Sequence, residues 1–493
     1  MNLGQRIRTG TKWLMIGNTG RTLLKFAYGV VLARLLVPAD FGMIVTIQVF
    51  TGFVGMVTSG GMGQALIRAK TANQNDFNTV LTMQLVLGVL TYLFFFLIAP
   101  WFAEYFEDPL YKDLMRVSAL VFLIRPFVYL RTSWLNRQMD FKKTSLISIV
   151  TNVISGASSI IMALLGMGVW SLTLSGLLAA IFRTTVLGWV TKLDLRLSFD
   201  FSVMRKHGAY GSKIVINDFL SRLRGDALKL ILAKLAGPAF LGLYNKADSL
   251  HRMPYRTFAS PVAQPLFRAM SKIQDDLDQS KYMLYRTITL LTLYILPFYV
   301  FIWWVAEPFI GFVYGEQWLP SASPLRILAA AGLGYIISRP CSVVLMAQNR
   351  LTQEMIAQIV VTIFAIIACL IGLNWGLEGV SYGYLATTVL GTVYSYVLVY
   401  KTIPTRLTDL FNALSPGLLL NALLFLVLAF LDSFTGELYK TDPAFYTLFL
   451  VIPGVLVYLA AFLFLPIMAL KSEAALWREK INSGLSLVYK FKP

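Results

Sequence analysis

Leu32-Ala33-Arg34-Leu35-Leu36-Val37-Pro38-Ala39-Asp40-Phe41-Gly42 returns two hundred positions later as Leu232-Ala233-Lys234-Leu235-Ala236-Gly237-Pro238-Ala239-Phe240-Leu241-Gly242. The match runs on without a gap: Gln64, Leu66, Arg68, Ala69, Gln74 and Asp76 correspond to Gln264, Leu266, Arg268, Ala269, Gln274 and Asp276. In a chain this apolar some Leu and Ala matches come free, but Pro, Gly, Gln, Arg and Asp matched in one frame do not. The chain reads as two copies of one membrane unit. A duplicated membrane bundle is the usual plan of a transporter whose substrate site lies between its halves.

A mean hydropathy of +0.66, 57% hydrophobic residues and 14% charged residues exclude an ordinary soluble globule. Such a chain folds in lipid, where every backbone polar group must be paired internally. With about 20 apolar residues needed per crossing, fourteen stretches emerge, at roughly 13–35, 41–66, 78–102, 114–136, 144–166, 169–191, 211–236, 239–267, 284–313, 323–346, 354–374, 377–400, 411–431 and 445–470. The expected fold is an all-α integral membrane protein of about 14 transmembrane helices, with lobes at 1–195 and 196–402 and a final helix pair with a tail at 403–493. Six spans per lobe give both copies the same orientation, so the expected relation is a pseudo-twofold along the membrane normal. Gly168-Val169 against Gly379-Val380 is a fainter echo at the last turn of each lobe.

The formal net charge of +18 invites a nucleic-acid reading, but its distribution argues otherwise. With a cytoplasmic N-terminus, one set of alternate loops carries 26 Lys and Arg, and the other carries only Lys112 and Lys440. This is the positive-inside pattern of a protein with both termini in the cytoplasm. Arg6, Arg8 and Lys12 lead into the first span without a small-residue cleavage site, so no removable signal is expected. Cys341 and Cys369, each in an apolar stretch, make no disulfide framework. Pro254, Pro261 and Pro265 are expected bend points in span eight. Arg34 and Lys234 are expected to snorkel, and Trp101, Tyr105, Trp318 and Tyr446 to anchor at the interfaces.

Charged groups deep in a span are costly and normally face a cavity or a partner. On span one, Asn18, Arg21 and Lys25 share one face; on span eight, Asn245, Asp248, Arg252 and Arg256 follow the same spacing, with Lys246 nearby. Span seven carries Asp218, Arg222, Asp226 and Lys229 on one face and Arg224 on the other. Asp218/Arg222 and Arg222/Asp226 are spaced to form a self-neutralising ladder, yet with His251 neutral the three spans keep five net positive charges. A buried excess of one sign needs water or a counter-ion. A polar cavity that receives a phosphate or pyrophosphate supplies both, Arg binding by its fork and Lys as a point charge. Arg125 and Arg339, each followed by proline, are further candidates for the cavity wall. Asp218, Asp226 and Asp248 are open to proton or sodium coupling or to salt bridges. No phosphate loop ending in Gly-Lys-Ser/Thr is present, and His207 and His251 are too few for a metal cluster. No cofactor, no metal and no enzymatic activity are expected.

The Leu32–Gly42 segment looks like the first-hairpin signature of bacterial polysaccharide flippases, and Leu135-Asn136-Arg137-Gln138-Met139-Asp140-Phe141 resembles that group's fourth-to-fifth loop. The chain is thus similar, over essentially its full length, to O-antigen and colanic-acid-type exporters of the multidrug/oligosaccharidyl-lipid/polysaccharide exporter superfamily. The resemblance implies an inner-membrane monomer with a central cationic cavity that alternates between inward- and outward-open forms. The implied cargo is an undecaprenyl-diphosphate-linked oligosaccharide carried to the periplasmic leaflet, with membrane lipid and polysaccharide-assembly proteins as partners and no nucleic acid. It matches Arg21, Lys25, Arg222, Arg224 and Arg252 to cavity cations by helix position, and it implies a lipid-tail groove near Leu418–Leu431. Two other classes compete. A cation-coupled multidrug antiporter of the same superfamily needs a net acidic cavity, and a membrane enzyme of polysaccharide assembly needs a catalytic surface on a substantial loop.

Overall fold

The computed structural model describes residues 3–59, 62, 66, 73–435, 438–465, 470, 471 and 473–479, excluding the side chains of 3–12, 14, 15, 57–59, 206–225, 260–265 and 440. Every regular element among the described residues is helical. In the first part of the chain these are α1 (Leu3–Leu35), α2 (Pro38–Ser59), α3 (Gln74–Tyr105), α4 (Leu110–Ala119), α5 (Val121–Arg137), α6 (Phe141–Leu164), α7 (Trp170–Val190) and α8 (Phe201–Pro254), the last broken at Gly237. A π turn at Tyr255–Ala259 leads to α9 (Ser260–Lys272), α10 (Leu277–Tyr294), α11 (Leu296–Tyr314), α12 (Ala322–Ala330) and α13 (Gly332–Ala347). Then come α14 (Leu351–Gly372), α15 (Gly376–Tyr400), α16 (Leu407–Ser433), the short α17 (Leu438–Thr441) and α18 (Pro443–Phe464). Contacts divide the chain into two compact units, Met1–Leu243 and Tyr244–Pro493.

Helices occupy the described part of all fourteen apolar stretches, but among the described residues nine helical segments are long and apolar enough to cross a membrane, or ten if the bent pair at 316–347 is one span. The difference from the expected fourteen has physical causes. Helix α1 and the first half of α8 are rich in Arg and Lys. The fourth stretch is cut into α4 and α5. One qualifying segment, Leu351–Tyr400, is 50 residues long, about 75 Å as a single helix and far beyond a bilayer core. Gly376, at φ 67, turns it back, and Gly372 meets Gly379 while Gly383 meets Ala368 in the register of an antiparallel hairpin. Gly379 is therefore a close-packing residue, whereas Gly168 is a turn residue at φ 51, and the faint echo between them joins two different roles.

Local chemistry explains the helix starts. Asn73 and Asp76 form a reciprocal capping box at the head of α3, and Asp276 caps α10 through the Gln279 amide at 2.9 Å. The last identity of the sequence repeat thus falls in the third helical position of α3 but at the cap of α10, so the second helix starts three residues later in the repeat frame. Asp140 and Asp442 cap α6 and α18 in the same way. The break expected from proline falls where Pro254 ends α8 and Pro261 opens α9.

The lipid-facing surface is written as apolar stripes. On α3, Val86, Leu90, Leu93, Leu97 and Trp101 are exposed while Gln84 and Thr91 are buried. On α14, Ile356, Ile359, Ile363, Ile367 and Ile371 are exposed. The inside-out pattern is that of helices solvated by lipid rather than water. Trp101 and Tyr105 are exposed, as interface residues should be, but Trp318 is fully buried beneath Lys246, and Tyr446 is buried with its hydroxyl on Asp432 at 2.7 Å. Those two serve packing. In α16, Leu420, Leu424 and Leu428 join the core with Leu450 and Phe462 of α18, while Leu419, Leu426 and Phe430 stay exposed on the outer face.

In the first unit the repeated hairpins meet each other. A Cβ on Gly42 would overlap the carbonyl oxygen of Pro238, and a Cβ on Gly242 would overlap that of Pro38. The contact is reciprocal, as two-fold-related surfaces must be. The matched Pro and Gly are thus the residues at which the two copies touch. The matched basic residues differ: Arg34 is exposed, but Lys234 does more than snorkel, since its ammonium donates to the Tyr105 carbonyl and to Glu107, both at 2.6 Å. That ammonium holds the Glu107 carboxyl below the usual carboxylate range through the hydrogen bond and its charge.

Candidate functional site

Among the described residues, cations expected inside the spans fall into two polar clusters, one in each unit. In the first unit the scaffold is α1, α5, α6 and α7. Helices α1 and α6 run parallel in contact, because Gly17 accepts Ser145 against its backbone and Gly156 accepts the ring of Tyr28; small residues let membrane helices approach closely. This seats Arg21, whose guanidinium donates to Ser148 at 3.3 Å and also to Asn18. On α5, Arg125 donates to the Tyr129 hydroxyl at 2.9 Å and lies 5.0 Å from its ring. On α7, Arg183 lies within electrostatic reach of both Arg21 and Tyr129, and its Nε is buried without a hydrogen-bond partner. The Arg131 Nε is likewise buried and unpartnered.

These four helices contain no Asp or Glu. Arginines brought together on them have hydroxyl and amide partners but no carboxylate of their own scaffold. Such an arrangement favours an incoming anion with several acceptor oxygens. Lys25, one turn beyond Arg21, is exposed.

In the second unit the cluster is built on the last turns of α8. Arg252 donates through Nε to Asp248 at 2.6 Å and through a terminal nitrogen to the Tyr335 hydroxyl at 3.0 Å. The Tyr384 hydroxyl donates to that of Tyr335 at 2.7 Å, and the Arg339 guanidinium lies 5.1 Å from the Tyr335 ring. His251 is fully buried among the rings of Tyr299, Tyr335 and Tyr384. Lys246 lies over Tyr314 and Trp318, at 4.2 and 4.3 Å from the ring centres. Asn245 is half-buried, and Arg256 is exposed in the π turn.

The structure therefore places the expected residues unevenly. Arg21 and Arg125 lie in one cluster, and Asp248, Arg252 and Arg339 in the other. Asp226 meets Lys229 at 3.0 Å rather than serving only the expected ladder. The side chains of Asp218, Arg222 and Arg224 lie outside the described residues. Sequence reasoning missed Arg183 and Tyr129 and counted Arg131 among the 26 Lys and Arg of the cytoplasmic loops. Arg183 stands well inside its span, so the rule that singled out Arg21 singles it out too. No group of His, Cys, Asp and Glu able to hold a metal occurs among the described residues. Cys341 and Cys369 are buried and free.

The chain is a lipid-facing helical bundle with cationic polar clusters, and solved structures share its fold. The fold is similar to that of the lipid II flippase MurJ in an inward closed conformation, with a TM-score of 0.69 and 18% identity over 90% of this chain and 96% of that one. It is also similar to an inward-facing multidrug resistance MATE transporter, with a TM-score of 0.60 and 14% identity over 78% of this chain and 95% of that one. The second of these belongs to the multidrug/oligosaccharidyl-lipid/polysaccharide exporter superfamily. Within that class, the polysaccharide biosynthesis protein family matches residues 31–323, and the chain belongs to it. Among its relatives, the lipopolysaccharide biosynthesis protein WzxC of Escherichia coli is 22% identical over 82% of each chain. The succinoglycan biosynthesis transport protein ExoT of Rhizobium meliloti is 23% identical over 67% of this chain and 66% of its own. The teichuronic acid biosynthesis protein TuaB of Bacillus subtilis is 23% identical over 71% and 73%. The protein is a multi-span membrane protein of the polysaccharide biosynthesis family.

Proposed function

We propose that the protein flips an undecaprenyl-diphosphate-linked oligosaccharide from the cytoplasmic to the periplasmic leaflet of the bacterial inner membrane, by alternating access through a cationic cavity, with both termini in the cytoplasm. The observation that carries this reading is that Arg21 and Arg183 stand within electrostatic reach of each other on helices that hold no carboxylate. A diphosphate leaving water must exchange its hydration for fixed donors, and arginine forks supply them in the right geometry. The Ser148 and Asn18 oxygens orient the Arg21 fork, and the Tyr129 hydroxyl accepts from Arg125, so these donors stand in place before the anion arrives. Its relatives agree in kind: one is a lipopolysaccharide biosynthesis protein, one a succinoglycan biosynthesis transport protein, and a structural neighbour is a lipid II flippase.

The multidrug reading shares the fold but not the charge. A cavity for cationic drugs needs unpaired carboxylates, and Asp226 and Asp248 are both engaged by cations. The enzyme reading finds no support in the relatives, which are named as transport or biosynthesis proteins. The test is polymer export in cells lacking the native gene, complemented with Arg21→Gln or Arg183→Gln at matched membrane abundance. Each substitution should abolish export. Normal export with both would overturn the reading, and hypersensitivity of the deletion strain to cationic dyes would favour the antiporter.

A further inference from the structure

His251 is a polar group buried deep in the second unit. It has no exposed surface, and neither Nδ1 nor Nε2 has a hydrogen-bond partner. Roughly nine in ten buried polar groups are paired, so an exception calls for a reason. A group unpaired in one state of a two-state protein finds its reason when it is paired in the other.

The partner is close at hand. Asp248 lies three residues before His251 on the same helix, a spacing that puts both on one face, and His251 lies within electrostatic reach of Asp248 and Arg252. Asp248 is 5% exposed, and in this state Arg252 holds it at 2.6 Å. Arg252 is the more accessible of the pair, with 26% of its side chain exposed against 7% for Asp248. An anion that takes the Arg252 guanidinium would strand a carboxylate in a dry interior, a cost that only a new positive charge can offset. Asp248 and Arg252 on its own helix and the rings of Tyr299 from α11, Tyr335 from α13 and Tyr384 from α15 face this position, with Tyr244, Tyr255, Arg339 and Cys369 of α14 one neighbour further out. Asp248 is the one carboxylate among them. The rings of Tyr299, Tyr335 and Tyr384 lie 5.4, 5.7 and 5.9 Å from the imidazole, and aromatic walls of this kind stabilise a desolvated cation.

We propose that His251 is a proton-binding site that fills when Arg252 leaves Asp248 for a phosphate-bearing cargo. The inference rests on the flippase reading above and names a linkage within it: one proton enters as Arg252 turns to the anion, and the Asp248 carboxylate passes from guanidinium to imidazolium. When the cargo leaves, Arg252 returns to Asp248 and the proton is released. Cargo and proton therefore bind with positive linkage, and affinity rises as pH falls.

The test is calorimetry on the full chain in detergent, with farnesyl diphosphate as the probe, in buffers of different ionisation enthalpy near pH 7. Beyond the probe's own titration, the wild type should take up about one proton per molecule bound, and its affinity should fall by up to about tenfold per pH unit as pH rises. His251→Gln and His251→Phe should bind without that extra proton, and their pH dependence should be the probe's alone. Asp248→Asn, which removes the need for the proton, should bind several-fold more tightly and take up none. Equal uptake by the wild type and the variants overturns the exchange while leaving the flippase reading intact. A wild type that does not bind the probe overturns both.

Discussion

Replacing Gly42 by alanine adds one methyl group where the structure leaves no room. The new Cβ would overlap the Pro238 carbonyl oxygen and lie 2.9 Å from the Pro238 Cα. Those atoms are backbone, so no side-chain rotation relieves the clash, and the two hairpins must move apart. Overpacking of this kind costs about 1–3 kcal/mol, which is roughly a 5- to 150-fold shift of any equilibrium between joined and parted hairpins. Gly242→Ala should cost a similar amount, because its Cβ meets the Pro38 carbonyl in the mirror contact. The double variant should cost less than the sum, since the first methyl already parts the surfaces that the second would strike. Thermal unfolding in detergent measures all three. Gly29→Ala is the control: nothing lies within 4 Å of its Cβ, and in a helix interior the change should be neutral or stabilise by about 0.5–1 kcal/mol. Neutral Gly42→Ala and Gly242→Ala variants, or strictly additive ones, would refute the reciprocal contact.

Arg183→Gln should leave membrane insertion and thermal stability unchanged or slightly improved, because it relieves a like charge near Arg21, and a marked loss of stability would show the arginine to be structural. Tyr458→Phe should destabilise by about 1 kcal/mol, by removing the 2.6 Å hydrogen bond from α18 to the Leu293 carbonyl, measurable by thermal unfolding. Glu107→Gln bears on the Lys234 bridge. The folded carboxyl lies below its ordinary range, so the bridge's contribution is present above the unfolded value and fades as pH falls through the folded one. Wild type and variant should therefore differ near neutral pH and converge in acid; a difference that grows in acid would contradict the assignment.

The architecture could be read from the chain because its two signals are strong and local. Helical apolar stretches mark themselves by composition, and a Pro-Ala-x-x-Gly unit matched in one frame marks duplication. What the repeat could not announce was its purpose: Gly42 and Gly242 are spaced for a turn, and only coordinates show them packed against the opposite proline. The charged positions were read less completely. Asp248 and Arg252 announce their pairing through i,i+4 spacing, and the structure shows it at 2.6 Å. Arg183 is 162 residues from Arg21 in the chain, so nothing in local spacing joins them, and a search for stripes on single helices passes it by. Trp318 and Tyr446 show the opposite failure. Position near a span end suggested an interface, but a neighbouring Lys246 and Asp432 drew each ring inward.

Leaflet-resolved flipping in liposomes tests the central claim most directly. Purified protein is reconstituted with a fluorescent isoprenyl-diphosphate-linked oligosaccharide, and an impermeant reagent reports how much of it has crossed. The wild type should move the lipid at a rate well above protein-free vesicles, and Arg183→Gln should fall to the protein-free rate while remaining folded and inserted. Flipping by Arg183→Gln at the wild-type rate would contradict the account.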